Sequence, residues 1–178
     1  SLFYAELLTI VAWRFGSGGN NSAFIGNMRP GYVSGNIRVS GGESNVVENV
    51  ESSFSSNRGI WVQSQKLVVS GGSYHHNDAD GIDIDSSSSH NMVYNASFYM
   101  NSRCGIFMEF SASYNTVIGN NFWSNHFNGV GTGSLPAEQT YNVILANVLG
   151  PTDYPAGCPE EERPCPSYCP VSQGEISH

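Results

Sequence analysis

Lysine is nearly missing from this chain of 178 residues: Lys66 stands alone, and with six arginines it makes 7 cations against 15 acids, a formal net charge of −8 and an isoelectric point near 4.9. Neutralising a phosphate backbone or an anionic bilayer takes clustered cations, so neither nucleic acid nor a membrane surface is expected as a partner. Charge of either sign is scarce at 12%, too little for disorder driven by self-repulsion, while hydrophobic residues reach 39% and aromatics 12%. No apolar run approaches the about 20 residues that a membrane span requires. The most apolar stretch, Ser1 to Phe15, carries Glu6 and reads as a short amphipathic capping helix or first strand within a cap over residues 1–19, any signal peptide being already gone. What fills the chain instead is uncharged and polar, 20 glycines with abundant serine and asparagine, the composition of a turn-rich all-β protein of one domain.

Four cysteines occur, Cys104 in the body and Cys158, Cys165 and Cys169 in a Pro-rich tail over residues 151–178. Four allow about three complete pairings, and spacing does not choose among them. Without a Cys-x-x-Cys pair, the pattern favours disulfide stapling of the tail over zinc. Asn20-Asn21-Ser22 and Asn95-Ala96-Ser97 are formal glycosylation acceptors, so an extracellular, secreted setting is expected.

A repeat organises the body over residues 20–150. Gly-apolar pairs fall at Gly59-Ile60, Gly81-Ile82, Gly105-Ile106 and Gly129-Val130, in steps of 22, 24 and 24. Val47, Val69, Val93, Val117 and Val143 march with them, as do Phe54, Tyr74, Phe98 and Phe122, and Asn77, Asn101 and Asn125. Within a unit, runs such as Gly81-Ile82-Asp83-Ile84-Asp85 alternate with period two and break at Gly, Asn and Ser turns. A unit of this length with three short strands is one turn of a single-stranded right-handed parallel β-helix, a solenoid of about five to six coils stacked about 4.8 Å apart. The Asn column is then an internal amide ladder that caps turns.

The run from Asn77 through Asp78-Ala79-Asp80-Gly81-Ile82-Asp83-Ile84-Asp85 to His90 and Asn91, followed by Gly105-Ile106-Phe107-Met108-Glu109 and by Asn115 to Asn121, resembles the right-handed parallel β-helix proteins of the pectate-lyase type over about residues 36 to 148. The resemblance implies the fold and leaves the activity open among hydrolases, lyases, epimerases and binding domains. The stretch from Asn77 to Asp83 is similar to a polygalacturonase motif, although the acidic pair of that family falls here on Ser102-Arg103. In mannuronan epimerases an Asp-Pro-His element is similar to Asp83-Ile84-Asp85, with a following acid at Glu109. Because Asp85 replaces the histidine, proton abstraction from a uronate would call on His75 or Tyr99 as base and Arg103 as charge neutraliser.

If Ile82 and Ile84 point inward, Asp83 and Asp85 point outward. The repeat then stacks Trp61, Asp83, Phe107 and Gly131 in one outward column, Gln63, Asp85, Glu109 and Gly133 in the next, and His75, Tyr99 and Trp123 in a third. Asp85 and Glu109 should lie about 5 Å apart and Asp83 and Asp85 about 6.5–7 Å apart, so that at least one carboxyl is held protonated by its neighbours. Such spacings suit glycoside hydrolysis. Glu109 is expected as general acid/base and Asp85 as nucleophile or base, with Asp83 tuning both. Substrate contacts are expected from Trp61, His75, Tyr99, Arg103, Phe107, Trp123 and His126, with Arg58 at the border and the glycines leaving the wall open. No cofactor is required, though Asp83, Asp85 and Glu109 offer oxygens suited to calcium. His76 is expected to be partly buried, His90 to lie in a Ser-rich loop, and Cys104 to be packed or disulfide-bonded. The face is expected to lack the basic lining that a polyanionic substrate would want, which points to a neutral or weakly acidic glycan. The expected function is therefore a secreted carbohydrate-active protein, a glycoside hydrolase on a polysaccharide or oligosaccharide, with a lyase or uronate C5-epimerase and a non-catalytic carbohydrate-binding solenoid as alternatives. Oligomerisation stays open, as does membership of a longer chain.

Overall fold

The computed structural model describes residues 2–8, 13–15, 23–28, 35–133 and 141–150, with side chains over 36–133 and 141–150. The cysteines of the tail and Asn20 lie outside the described residues. Among those described, every regular element is a strand. One sheet of six strands takes Trp13–Phe15, Gly35–Glu43, Arg58–Gln65, Ile82–Ile84, Ile106–Met108 and Val130–Thr132 in chain order, each parallel to the next. A sheet of eleven strands wraps the other sides. One of its arms stacks Val68–Ser70, Met92–Tyr94, Thr116–Ile118 and Val143–Leu145, and the other stacks Ser73–His75, Ser97–Tyr99, Asn121–Trp123 and Val148–Leu149. Both arms meet on Val46–Ser53, and Ala23–Met28 and then Leu2–Leu8 continue the stack. Each turn thus contributes three short strands, the all-β parallel solenoid that the repeat predicts.

Period-two alternation sends Ile60, Ile82 and Ile106 inward in register, where they are fully buried. On another wall Tyr74, Phe98 and Phe122 stack ring on ring at 5.1 and 4.9 Å. The glycine column has its reason here: a Cβ on Gly105 would come within 2.5 Å of the Phe122 ring and 2.7 Å of the Gly129 carbonyl. Close approach of ring and backbone, rather than backbone conformation, requires glycine at that place.

Each turn has three corners, and each corner holds a residue in the left-handed region. Lys66, His90, Tyr114 and Tyr141 form one such column, Asn49, Asn95 and Ala146 with Gly71 and Gly119 a second, and Phe54, His76, Met100 and Ser124 a third. For non-glycine residues this costs energy, and buried asparagines just past the corners compensate it. Asn101 Oδ1 accepts from the Asn77 amide, and Asn101 Nδ2 donates to Asn125 Oδ1 and to the Tyr74 carbonyl. This is the ladder expected from Asn77, Asn101 and Asn125. Two further ladders, Asn91-Asn115-Asn142 and Asn120-Asn147, follow the other corners.

Candidate functional site

The outward face of the six-stranded sheet carries one column running Arg38, Trp61, Asp83, Phe107, Gly131, in the register that the repeat predicts. The neighbouring positions Gln63, Asp85, Glu109 and Gly133 follow in step, since Asp85, Glu109 and Gly133 each donate a backbone N–H to the preceding coil. The face therefore brings together Trp61, Asp83, Asp85, Phe107 and Glu109 as expected.

Asp83 departs from expectation in its environment. It points outward and is nonetheless 0% exposed, flanked in its column by Trp61 and Phe107 and crossed by Arg58, whose Nε donates to Oδ2. Its Oδ1 is buried with no hydrogen-bond partner among the described residues. Burial pushes this carboxyl up to about 7 against the pull of Arg58, with like charge from Asp80 and Glu109 adding to the rise. A raised carboxyl was expected from like-charge crowding, but loss of water is the larger cause.

Asp85 is the opposite case. Its burial works to raise it and is outweighed by hydrogen bonds from Gln63 Nε2 (2.8 Å), Ser86 Oγ (3.1 Å) and Trp61 Nε1 (3.2 Å), so the group lies below the usual carboxylate range. Arg38, absent from the sequence expectations, orders two of those donors. Its Nε donates to Gln63 Oε1 at 2.9 Å while its guanidinium lies 4.2 Å from the Trp61 ring centroid.

Glu109 is partly exposed, and its Oε1 lies 3.9 Å from Arg58 Nη2. Arg103 Nη1 lies 3.1 Å from Asp80 Oδ2, and its guanidinium stands 4.8 Å from the Phe107 centroid. Asp80 is fully buried, accepts from the Cys104 N–H, and is raised by burial in spite of Arg103. Three corrections follow. Arg38, Arg58 and Arg103 put half of the arginines on or beside this face, so it does not lack basic lining. Gly131 and Gly133 are buried and do not leave the wall open, Gly133 lying against the Glu109–Phe110 backbone. Calcium is not accommodated by Asp83, Asp85 and Glu109: Asp83 is fully buried with Arg58 against it, and among the described residues no three His, Cys, Asp or Glu side chains are grouped to hold a metal ion.

His75, Tyr99 and Trp123 belong to the other sheet. They stack at 4.4 and 4.5 Å, nearly parallel, on a separate face from the carboxylates. His75 is mostly buried, covered by Tyr99 and by the edge of Phe54, and its Nε2 lies 3.4 Å from Glu51. His76 is exposed rather than partly buried, because it occupies a left-handed corner that turns its side chain away from the coil. His90 is also a corner residue, stacked on Tyr114 at 5.1 Å. His126 is half-buried against Phe127, and Cys104 is fully buried. Sequence reasoning missed Arg38 and Asp80 as parts of the site. A signal existed for both: Arg38 falls one repeat before Trp61, and Asp80 directly precedes the Gly81 of the repeat.

The chain matches the family described as right handed beta helix region over residues 16–149, and it belongs to that family. Among solved structures it is similar in fold to the A-module of the Azotobacter vinelandii mannuronan C-5 epimerase AlgE6, with a TM-score of 0.53 and 12% identity over 83% of this chain and 57% of that one. It is also similar to the A-module of AlgE4 from the same organism, with a TM-score of 0.49 and 10% identity over 78% of this chain and 50% of that one. The chain thus spans about half the length of these modules. A search of curated proteins finds no match.

Proposed function

We propose that this protein acts on a polysaccharide laid across the outward face of the six-stranded sheet, as a glycoside hydrolase in which Asp85 and Glu109 carry the chemistry. One observation carries the reading: on a single face, beside the rings of Trp61 and Phe107, Asp85 is held ionised by hydrogen bonds while the partly exposed carboxyl of Glu109 follows it one coil on. Two carboxyls on one face, one fixed as an anion and one open to a substrate oxygen, are the arrangement that glycoside hydrolysis uses. Asp85, ionised and fixed by Gln63, Trp61 and Ser86, suits attack on the anomeric carbon or stabilisation of developing positive charge there. Glu109, partly exposed, suits proton transfer to and from the glycosidic oxygen. Asp83 is too deeply buried to touch a sugar and acts by holding Arg58. The fold shared with A-modules of mannuronan epimerases supports a polysaccharide as substrate, and an extracellular setting accompanies that reading.

A second reading, proton abstraction from a uronate, is favoured by Arg38, which has no carboxylate partner among the described residues and could meet an acidic sugar. The two readings separate in a screen of neutral and uronic polysaccharides. Hydrolysis predicts new reducing ends that fall at least about 100-fold in Glu109→Gln and in Asp85→Asn. Unsaturated products absorbing in the ultraviolet, or solvent deuterium entering the sugar without cleavage, would sink hydrolysis in favour of uronate chemistry. Binding indifferent to both substitutions, with no product, would leave a carbohydrate-binding solenoid.

A further inference from the structure

We propose that Arg58 is the positioning residue of this face, tying the buried carboxylate of Asp83 to Glu109 across two turns of the coil and so fixing where Glu109 meets its substrate. The role of Glu109 rests on the reading above; the tie itself does not. Arg58 touches three members of the site. Its Nε donates to Asp83, its Nη2 lies 3.9 Å from Glu109 Oε1, and its guanidinium stands 5.1 Å from the Trp61 centroid. The register puts Asp83 one coil beyond Arg58 and Glu109 two coils beyond, a rise of about 9.6 Å along the stack. Meeting both carboxylates takes a long side chain with donors on more than one nitrogen, which the arginine fork supplies and a lysine point charge does not.

The two ends of the tie differ in the way an anchor differs from its load. Asp83 is 0% exposed and Glu109 32% exposed, with Arg58 between them at 20%. Only one Asp83 oxygen is hydrogen-bonded, and Arg58 is the group that bonds it, so a buried carboxyl with one partner holds the guanidinium in place. Glu109 engages Arg58 through Oε1 and makes no hydrogen bond through Oε2 among the described residues, which leaves that oxygen to a substrate. The charged groups that face Asp83 are Arg58 from the preceding coil, Asp80 from its own and Glu109 from the next.

Carbon-13 NMR titration of labelled aspartate in the full chain reads the tie directly. The Asp83 midpoint is expected at about 7 in the wild type. It should fall in Glu109→Gln, which removes a like charge, and rise in Arg58→Gln, which removes the counter-ion, with Arg58→Lys between wild type and Arg58→Gln. On a cleaved polysaccharide, Arg58→Gln should lose about tenfold or more in kcat with KM nearly unchanged, partly restored in Arg58→Lys. Should Arg58→Gln fail to fold, Arg58→Lys and Glu109→Gln, the latter at a partly exposed position, carry the same comparison. A midpoint that moves with no variant, or a loss confined to KM, overturns the proposal. Wild-type protein that cleaves no glycan but shows both midpoint shifts overturns the hydrolase reading and supports the tie.

Discussion

Asp83 occupies an outward position and still loses all contact with water, because its short side chain lies between Trp61 and Phe107 in the column and Arg58 crosses the remaining side. The folded state therefore holds a proton on Asp83 at pH values where the unfolded chain, with the ordinary carboxyl value of 3.8, has lost it. Native protein binds more protons than unfolded protein between those limits, so stability falls as pH rises. The contribution is fully present below the unfolded value and is lost as pH rises through about 7, and it is worth at most about 4 kcal/mol. Urea unfolding between pH 4 and 8 should show this slope in the wild type and a shallower one in Asp83→Asn. Asp80, raised in the same direction, keeps some of the slope. Equal slopes in the two proteins would show that Asp83 ionises normally. Burial of this kind is not written in the alternation of apolar and polar residues. Period two tells which face a side chain takes, while the height of its neighbours decides whether water reaches it, and those neighbours lie 22 and 24 residues away.

The corner is the element on which the coil depends. A left-handed residue turns the chain, and the next buried asparagine meets the backbone groups that the turn leaves without sheet partners. Asn101 does this for the Asn77 N–H and the Tyr74 carbonyl while bonding Asn77 and Asn125 in its own ladder. Asn101→Ala strands two buried backbone groups, so a loss of about 3 kcal/mol is expected in urea unfolding. Asn142 serves the Asn115 N–H and the Ala112 carbonyl in the same way but is only half-buried, so water can replace part of what is lost and Asn142→Ala should cost about 1 kcal/mol. Comparable costs at the two sites would show that burial does not set the worth of a ladder bond. The Asn77 column is legible in the sequence because its members recur every 24 residues. The other two ladders are harder to read, since Leu67 and Ala96 interrupt them and Asn142 and Asn147 each follow a step of 27.

At the scale of the whole molecule, contacts run almost wholly between adjacent coils, so stability is a sum of coils and of interfaces between them. Hydrogen exchange should accordingly be slowest at Ile82–Ile84 and Ile106–Met108, where each strand is paired on both sides, and fastest toward Val148–Leu149, where the side chains are 64% and 43% exposed. Uniform protection along the stack would mean that the solenoid opens only as a unit. The amino-acid sequence by itself determined the solenoid, its repeat, its register and the faces its side chains take. Those follow from periodicity, glycine spacing and the single ladder of pairing that a parallel coil allows, all of which are local and repeated. Only the tertiary structure decided that Asp83 is buried, that Asp85 is held ionised, that three arginines reach the acidic face and that His75, Tyr99 and Trp123 stand apart from it. Ion pairs, hydrogen bonds and exclusion of water depend on distances between side chains of different coils, and those distances exist only once the coils are stacked.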